Sequence, residues 1–325
     1  MTVDRSSISP ELERAIYRSK FGDWNQRASV RNRPRRVLSE TGPGLYFPPE
    51  AVPILDHPLV RARGSRVIEE ILLQRLHVYL DFTAELEQRA VNPVCAAISR
   101  RRSGFDLPPD MLADAYKIYT DEAWHAQFSD DMQRQIIDRT GVSAVLPATP
   151  AFMQRLAKAQ EEAGTDPALS ALFFTIVSET LISAILSDIP ADGRLDLGVR
   201  QLVADHAADE RVHHAYFAKV LPCVWSQLGP REQRAIAQQL PEFIHAFLDP
   251  DYEALAGILG SLQFTQEETS NILADSYDAS SIAEENRLHA HLTLRHFADV
   301  GILDDPAALE GFQVAGLVGD NGYER

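Results

Sequence analysis

Val203 to Phe217 reads VADHAADERVHHAYF, and the rest of the chain is read outward from it. On a helix, His206, Glu210 and His213 fall at i, i+4 and i+7, which puts all three on one stripe. The surrounding residues are good helix formers, with no Gly or Pro. Two imidazoles and a carboxylate projecting together suit a metal ion and do not suit an apolar core. A second stretch, Asp121 to His125 (DEAWH), repeats the D-E-x-x-H of Asp209 to His213 (DERVH). Two Glu-x-x-His pairs on separate helices are the pattern of a dinuclear carboxylate site inside a helical bundle.

Such a site needs one more Glu from each of the two other bundle helices. Glu122 and His125 share a face, as do Glu210 and His213. Glu179 is the only charge in ALFFTIVSETLISAIL, residues 171–186. A carboxylate there carries a large desolvation cost unless it is paired, protonated or metal-bound. The other candidate lies in YLDFTAELEQRAVNPV, where Asp81, Glu85 and Glu87 are the choices and periodicity does not decide among them. His206 adds a further donor one turn before Glu210. His57, His77, His214, His245, His289, His291 and His296 have weaker claims, because a lone helical His is usually a packing or surface residue. Four carboxylates balance two divalent cations. Mixed imidazole and carboxylate donors suit iron, with manganese as the alternative metal; a structural zinc would use fewer groups and more sulfur. Asp121 and Asp209, each preceding a ligand Glu, are placed to hold the other helix's histidine from outside the metal shell.

Composition narrows the class. The chain has 325 residues, 45% hydrophobic and 24% charged, as in a globular protein with a sizeable core. Its net charge of −16 makes it a poor general binder of nucleic acid or of an anionic membrane. Cys95 and Cys223 are too few and too far apart for a disulfide framework, which suits a reducing cytosol. The N-terminus carries no apolar signal-like run, so a cytoplasmic protein is expected. The most apolar run, Ala168 to Leu186, is interrupted by Ser, Thr and Glu179 and reads as a buried core helix.

From about Pro58 the pattern is helical, with no convincing period-2 run. Helices are expected over Ser65–Arg101 with a kink near Pro93, and over Pro109–Thr140, Pro150–Ala163, Pro167–Ser187 and Asp196–Pro222. Shorter ones follow over Pro230–Leu248, Pro250–Leu262, Thr265–Ser276 and Ser281–Asp299. The expected fold is all-α: a ferritin-like four-helix-bundle core with additional flanking helices. Its expected parts are an N-terminal arm over residues 1–50, one bundle domain over 51–310, and a loose tail over 311–325. The arm has one short helix near Pro10 to Phe21. Its five arginines in Arg27–Arg36 read as a strap lying on an acidic neighbouring surface, in preference to a nucleic-acid patch.

These residues resemble a known family, the non-haem di-iron amine N-oxygenases typified by p-aminobenzoate N-oxygenase. The resemblance runs from about Asp56 to Pro306. The family's ligands are a Glu, a Glu-x-x-His, a Glu and a His-x-x-x-Glu-x-x-His, and His206 supplies the extra histidine of the last motif. A family segment like E-Q-x-x-x-x-P matches Glu87, Gln88 and Pro93 and selects Glu87. A segment like A-E-T-x-I-N-A-L-L matches SETLISAIL and Glu179. The resemblance thus implies seven iron ligands: Glu87, Glu122, His125, Glu179, His206, Glu210 and His213. It implies bridging by Glu122 and Glu210, with Glu87 and His125 on one ion and Glu179, His206 and His213 on the other.

What the resemblance implies for function is two iron ions that activate O2 as co-substrate and oxygenate the nitrogen of a small amine, to hydroxylamine and often to nitroso or nitro. It implies an external electron donor and a homodimer. Two positions depart from the family: Ser183 replaces an Asn, and Phe82 stands where the p-aminobenzoate enzyme has an Arg. A basic residue there can grip a substrate carboxylate and Phe cannot, so p-aminobenzoate is not the expected substrate. Tyr79, one turn before Phe82, completes the expected pocket. Two rival readings are a di-iron hydroxylase or desaturase acting at carbon, and a non-enzymatic iron-binding protein.

Overall fold

The computed structural model describes residues 17–40, 44–186, 189–319 and 322–323, without the side chains of 163 and 183–185. Helices of eight residues or more are numbered here. They are α1 (Ser65–Leu86), α2 (Asn92–Ser99), α3 (Pro109–Thr140), α4 (Ala151–Ala163), α5 (Pro167–Ile185), α6 (Leu197–Trp225), α7 (Pro230–Leu248), α8 (Tyr252–Ser261), α9 (Gln266–Ser276), α10 (Ala279–Asp299) and α11 (Pro306–Val314). Among the described residues the one extended pairing is a bridge between Leu45 and Leu195. The fold is all-α, as expected.

The ends follow local chemistry. Pro109 and Pro167 open α3 and α5 at the first turn, where a missing N–H costs nothing. Asp166 and Asp196 accept from the first free amides of α5 and α6. Gly141 closes α3 at φ 70°, a conformation that favours glycine. The expected stop of α6 at Pro222 moves to Trp225. Pro222 lacks the N–H that would bond the carbonyl of Ala218, and the helix continues three residues past it.

The core is α1 with α2, α3, α5 and α6. Gln74 pairs with Ser143 and Val145, and Gln133 with the His77 carbonyl, so α1 runs antiparallel to α3. The expected kink before Pro93 is a π-helical turn over Glu87–Val91, which joins α1 to α2. Wide turns of this kind cluster at functional sites. Here Thr175 of α5 donates to the carbonyl of Ala90 inside the turn (3.3 Å). Among its described side chains helix α5 is mostly apolar and buried from Leu169 on, with Glu179 its one charge, and no helix among the described residues is long and apolar enough to cross a membrane.

The arm lies along the groove between α3 and α6. Arg35 pairs with Asp131, and Arg33 and Arg36 share Asp205. Gln135 and Arg139 bind arm carbonyls at Arg36, Leu38 and Ser39. Three of the five arginines thus strap the arm to an acidic surface; Arg27 pairs with Asp23 inside the arm, and Arg31 lies over Trp24. The approach is close: a Cβ on Gly198 would sit 2.1 Å from the carbonyl oxygen of Val37. The arm's described helical turns are Trp24–Arg27 and Ser29–Asn32. The expected helix near Pro10 to Phe21 falls mostly outside the described residues, and Tyr17–Phe21 is not helical.

One expectation is corrected at the other end. Residues from 311 on were expected as a loose tail, but Gly311–Val314 completes α11, and Phe312, Leu317 and Val318 are buried. Phe312 packs against Phe297 of α10. Ala308, Phe312 and Ala315 do recur at i, i+4 and i+7, a helical signal in the sequence that the expected loose tail overlooked.

Candidate metal centre

The bundle brings all seven expected donors to one buried place. Glu87 comes from the π turn, Glu122 and His125 from α3, Glu179 from α5, and His206, Glu210 and His213 from α6. Each is at most 1% exposed. Their donor atoms form two groups, each within 4.8 Å: Glu87, His125, His206 and Glu210, and Glu122, Glu179, Glu210 and His213. Glu210 belongs to both. Periodicity left Asp81, Glu85 and Glu87 open, and the fold separates them. Glu85 is on the surface, paired with Arg89 at 2.7 Å, while Glu87 is fully buried.

The division differs from the expected one in two respects: Glu122, expected to be shared like Glu210, falls in the second group only, and His206 changes sides. His206 stands with Glu87 and His125, not with Glu179 and His213. Its Nε2 is 3.2 Å from Glu210 Oε1 and 3.8 Å from Glu87 Oε1, and its ring centroid is 4.4 Å from that of His125. The cause is helical spacing. His206 and His213 flank Glu210 on the stripe and lie roughly 10 Å apart along the axis, so each serves a different level of the bundle.

Both Asp–His crossings predicted from sequence are present. His125 Nε2 lies 3.2 Å from Asp209 Oδ2, and His213 Nε2 lies 3.2 Å from Asp121 Oδ2. Each bond fixes the ring and leaves Nδ1 facing the cluster. His206 is turned the other way: Tyr79 O–H is 3.5 Å from its Nδ1, so Nε2 faces inward. Tyr79 is thus beside the centre. Phe82 is half-buried against Phe152 and Phe247, with ring centroids 4.9 and 5.5 Å away. The side chain of Ser183 lies outside the described residues.

The inner atoms are short of partners. Both oxygens of Glu87, Glu179 and Glu210, with His206 Nε2, make no hydrogen bond. Glu210 Oε1 is 3.2, 3.3 and 3.4 Å from nitrogens of His206, His125 and His213 without an aligned bond to any. Buried polar atoms are almost always satisfied, so this many orphans facing one point fit a cation that supplies the missing partners. The electrostatics agree. Burial, then Glu122 and Glu210, push Glu87 up; burial with the same two carboxylates pushes Glu179 up. Burial also raises Glu210, yet His213, His125 and His206 together hold it well below the carboxylate range. Without added positive charge, two of the four carboxylates are driven towards the neutral form.

Sequence reasoning missed the outer layer supplied by the arm. Trp24 Nε1 donates to both oxygens of Asp121 (2.9 Å each), and the Ser29 amide donates to both oxygens of Asp209 (3.2 Å each). Phe21 stacks on His213, centroids 6.1 Å apart. No motif marks such contacts, because they join residues about 100 to 190 apart in the chain.

A model of the p-aminobenzoate N-oxygenase AurF family matches residues 26–292, a span that includes every donor of the centre. The chain belongs to the p-aminobenzoate N-oxygenase family. One relative is the 4-aminobenzoate N-oxygenase of Streptomyces thioluteus, 24% identical over 259 residues, which covers 73% of this chain and 74% of the relative. Membership in the p-aminobenzoate N-oxygenase family fits an all-α chain with buried Glu/His clusters that can bind metal.

Proposed function

We propose that this protein is a di-iron oxygenase that uses O2 to oxidise the nitrogen of a small aryl amine. The observation that carries the reading is the convergence of unpartnered carboxylate and imidazole atoms into two buried groups sharing Glu210, in a chain of this family. Glu87, His125 and His206 would hold one ion and Glu122, Glu179 and His213 the other, with Glu210 common to both. Manganese is the alternative metal for the same donors.

A pair of iron ions supplies the redox chemistry that oxygen activation requires. The chain's own residues do the rest. Asp121 and Asp209 fix the tautomers of His213 and His125. Phe21, lying against His213, and the surrounding core keep water away. Conversion of an amine and O2 to a hydroxylamine and water consumes two electrons and two protons, so an external electron donor is part of the reading. Phe82 offers no charge to a substrate carboxylate, which favours uncharged aryl amines over 4-aminobenzoate.

The test is a single turnover. Protein loaded with Fe(II) without oxygen is mixed with O2 and a panel of aryl and alkyl amines, and products are identified by mass spectrometry with labelled O2. A hydroxylamine, nitroso or nitro product carrying label supports the reading. Label found only at carbon would move the activity to a hydroxylase. Normal O2 consumption with every amine untouched would remove the nitrogen assignment.

A further inference from the structure

The two Asp–His pairs behind the metal-facing histidines are alike, but their outer ends differ. Asp209 ends on a backbone amide, that of Ser29, which is buried. Asp121 ends on the indole of Trp24, which heads the first short arm helix and is partly exposed. Either donor would serve to orient an aspartate. Only the indole adds a redox-competent ring. Two hydrogen-bonded contacts, 2.9 and 3.2 Å, lead from it to His213, whose Nδ1 faces the cluster.

The surface around Trp24 is also unusual for this chain. Between residues 17 and 36 there are seven Lys or Arg and one Asp, in a protein of net charge −16. Arg27, Arg33, Arg35 and Arg36 are ion-paired. Arg18, Lys20 and Arg31 are exposed and make no ion pair among the described residues, and the guanidinium of Arg31 lies 5.5 Å from the Trp24 ring centroid. An acidic protein is repelled by most of this molecule and attracted here.

We propose that Trp24, Asp121 and His213 form the electron entry path of the centre, and that the basic arm surface around Trp24 docks an acidic iron–sulfur electron carrier. The inference rests on the metal-centre reading above. Each encounter oxidises one reduced carrier cluster and passes one electron inward. No bond forms or breaks along the path. Two encounters would supply the two electrons that one oxygen insertion consumes, to iron that His213 and the other donors of the centre would hold.

The experiment uses a plant-type [2Fe–2S] ferredoxin, kept reduced by its NADPH reductase, and the methyl viologen radical as a small reductant that needs no docking. Ferredoxin binding is measured by calorimetry on metal-free full-length protein at low and high salt. Reduction of the oxygen-exposed, iron-loaded protein is followed by stopped flow. The triple variant Arg18→Glu, Lys20→Glu, Arg31→Glu is expected to bind ferredoxin at least about tenfold more weakly at low salt, and salt should weaken wild-type binding. Trp24→Gln keeps an N–H donor for Asp121 and loses the ring. It is expected to keep wild-type iron content and viologen rate while its ferredoxin-driven rate falls at least tenfold.

An unchanged ferredoxin rate in Trp24→Gln overturns the path. Equal slowing with both reductants, together with iron loss, overturns it too, since Trp24 would then only prop Asp121. Absent or charge-independent ferredoxin binding overturns the docking surface. If the wild type takes up no iron, the metal reading has failed by itself, and the binding arm still judges the surface.

Discussion

Glu179 is placed where a carboxylate costs stability, so replacing it separates the demands of metal binding from those of folding. It is 1% exposed, both its oxygens lack hydrogen bonds, and burial with Glu210 and Glu122 raises its pKa. Leaving buried polar atoms unsatisfied costs about 1–3 kcal/mol. Glu179→Leu removes them and fills similar space, so the metal-free variant should be more stable than the metal-free wild type by about 2 kcal/mol. With about 2.1 cal/mol/K of unfolding entropy per residue over 325 residues, 1 kcal/mol corresponds to roughly 1.5 °C, so Tm should rise by about 3 °C. Metal reverses the order. An ion present at about 100 times its Kd adds about 2.7 kcal/mol, or roughly 4 °C, to the wild type and little to the variant. The assay is differential scanning calorimetry of both proteins with chelator and with Fe(II) under nitrogen. A metal-free variant that melts several degrees below the metal-free wild type would show that Glu179 is a satisfied core residue. An equal metal-induced rise in both proteins would show that it is no ligand.

His206→Ala removes a donor from the Glu87 and His125 level only; titration with Co(II), followed by its visible bands, should show one tight site retained and the other weakened at least about tenfold. Phe82→Arg places a cation where an aryl carboxylate can be gripped; the rate ratio of 4-aminobenzoate to aniline should rise, and an unchanged ratio would assign Phe82 to the core alone. His77 is buried, which lowers its pKa from 6.5 to about 4. Because the folded value is depressed, the unfolded chain binds the extra proton between those values, so stability is full above pH 6.5 and falls as pH drops towards 4, by roughly 3 kcal/mol at most. Urea midpoints at pH 7 and pH 4.5 should therefore lie closer together in His77→Leu than in the wild type.

Most helices were legible because prolines, aspartate caps and glycine stops punctuate the chain, as at Pro109, Pro167, Asp196 and Gly141. The donors were legible because i, i+3 and i, i+4 spacings place side chains on one face whatever the tertiary packing. Three things were not. Glu87 sits at the start of a π turn, so the 3.6-residue period fails at the position where it had to choose between Glu85 and Glu87. His206 joined the Glu87 level because distance along the α6 axis, and not membership of a motif, decides which donors meet. The roles of Phe21, Trp24 and Ser29 depend on where the arm crosses α3 and α6, a contact that no local pattern encodes. The arginines did announce that arm, through their need for acidic partners at Asp131 and Asp205.

The central claim is that the buried Glu and His groups hold two coupled iron ions. The most direct measurement is anaerobic titration of the purified chain with Fe(II), with bound iron counted chemically and the oxygen-exposed product examined by Mössbauer spectroscopy. The account predicts two irons per chain, joined as a spin-coupled diferric pair, and loss of that pair in Glu210→Ala, which removes the shared carboxylate. One iron per chain, many irons per chain, or an undiminished pair in Glu210→Ala would contradict it.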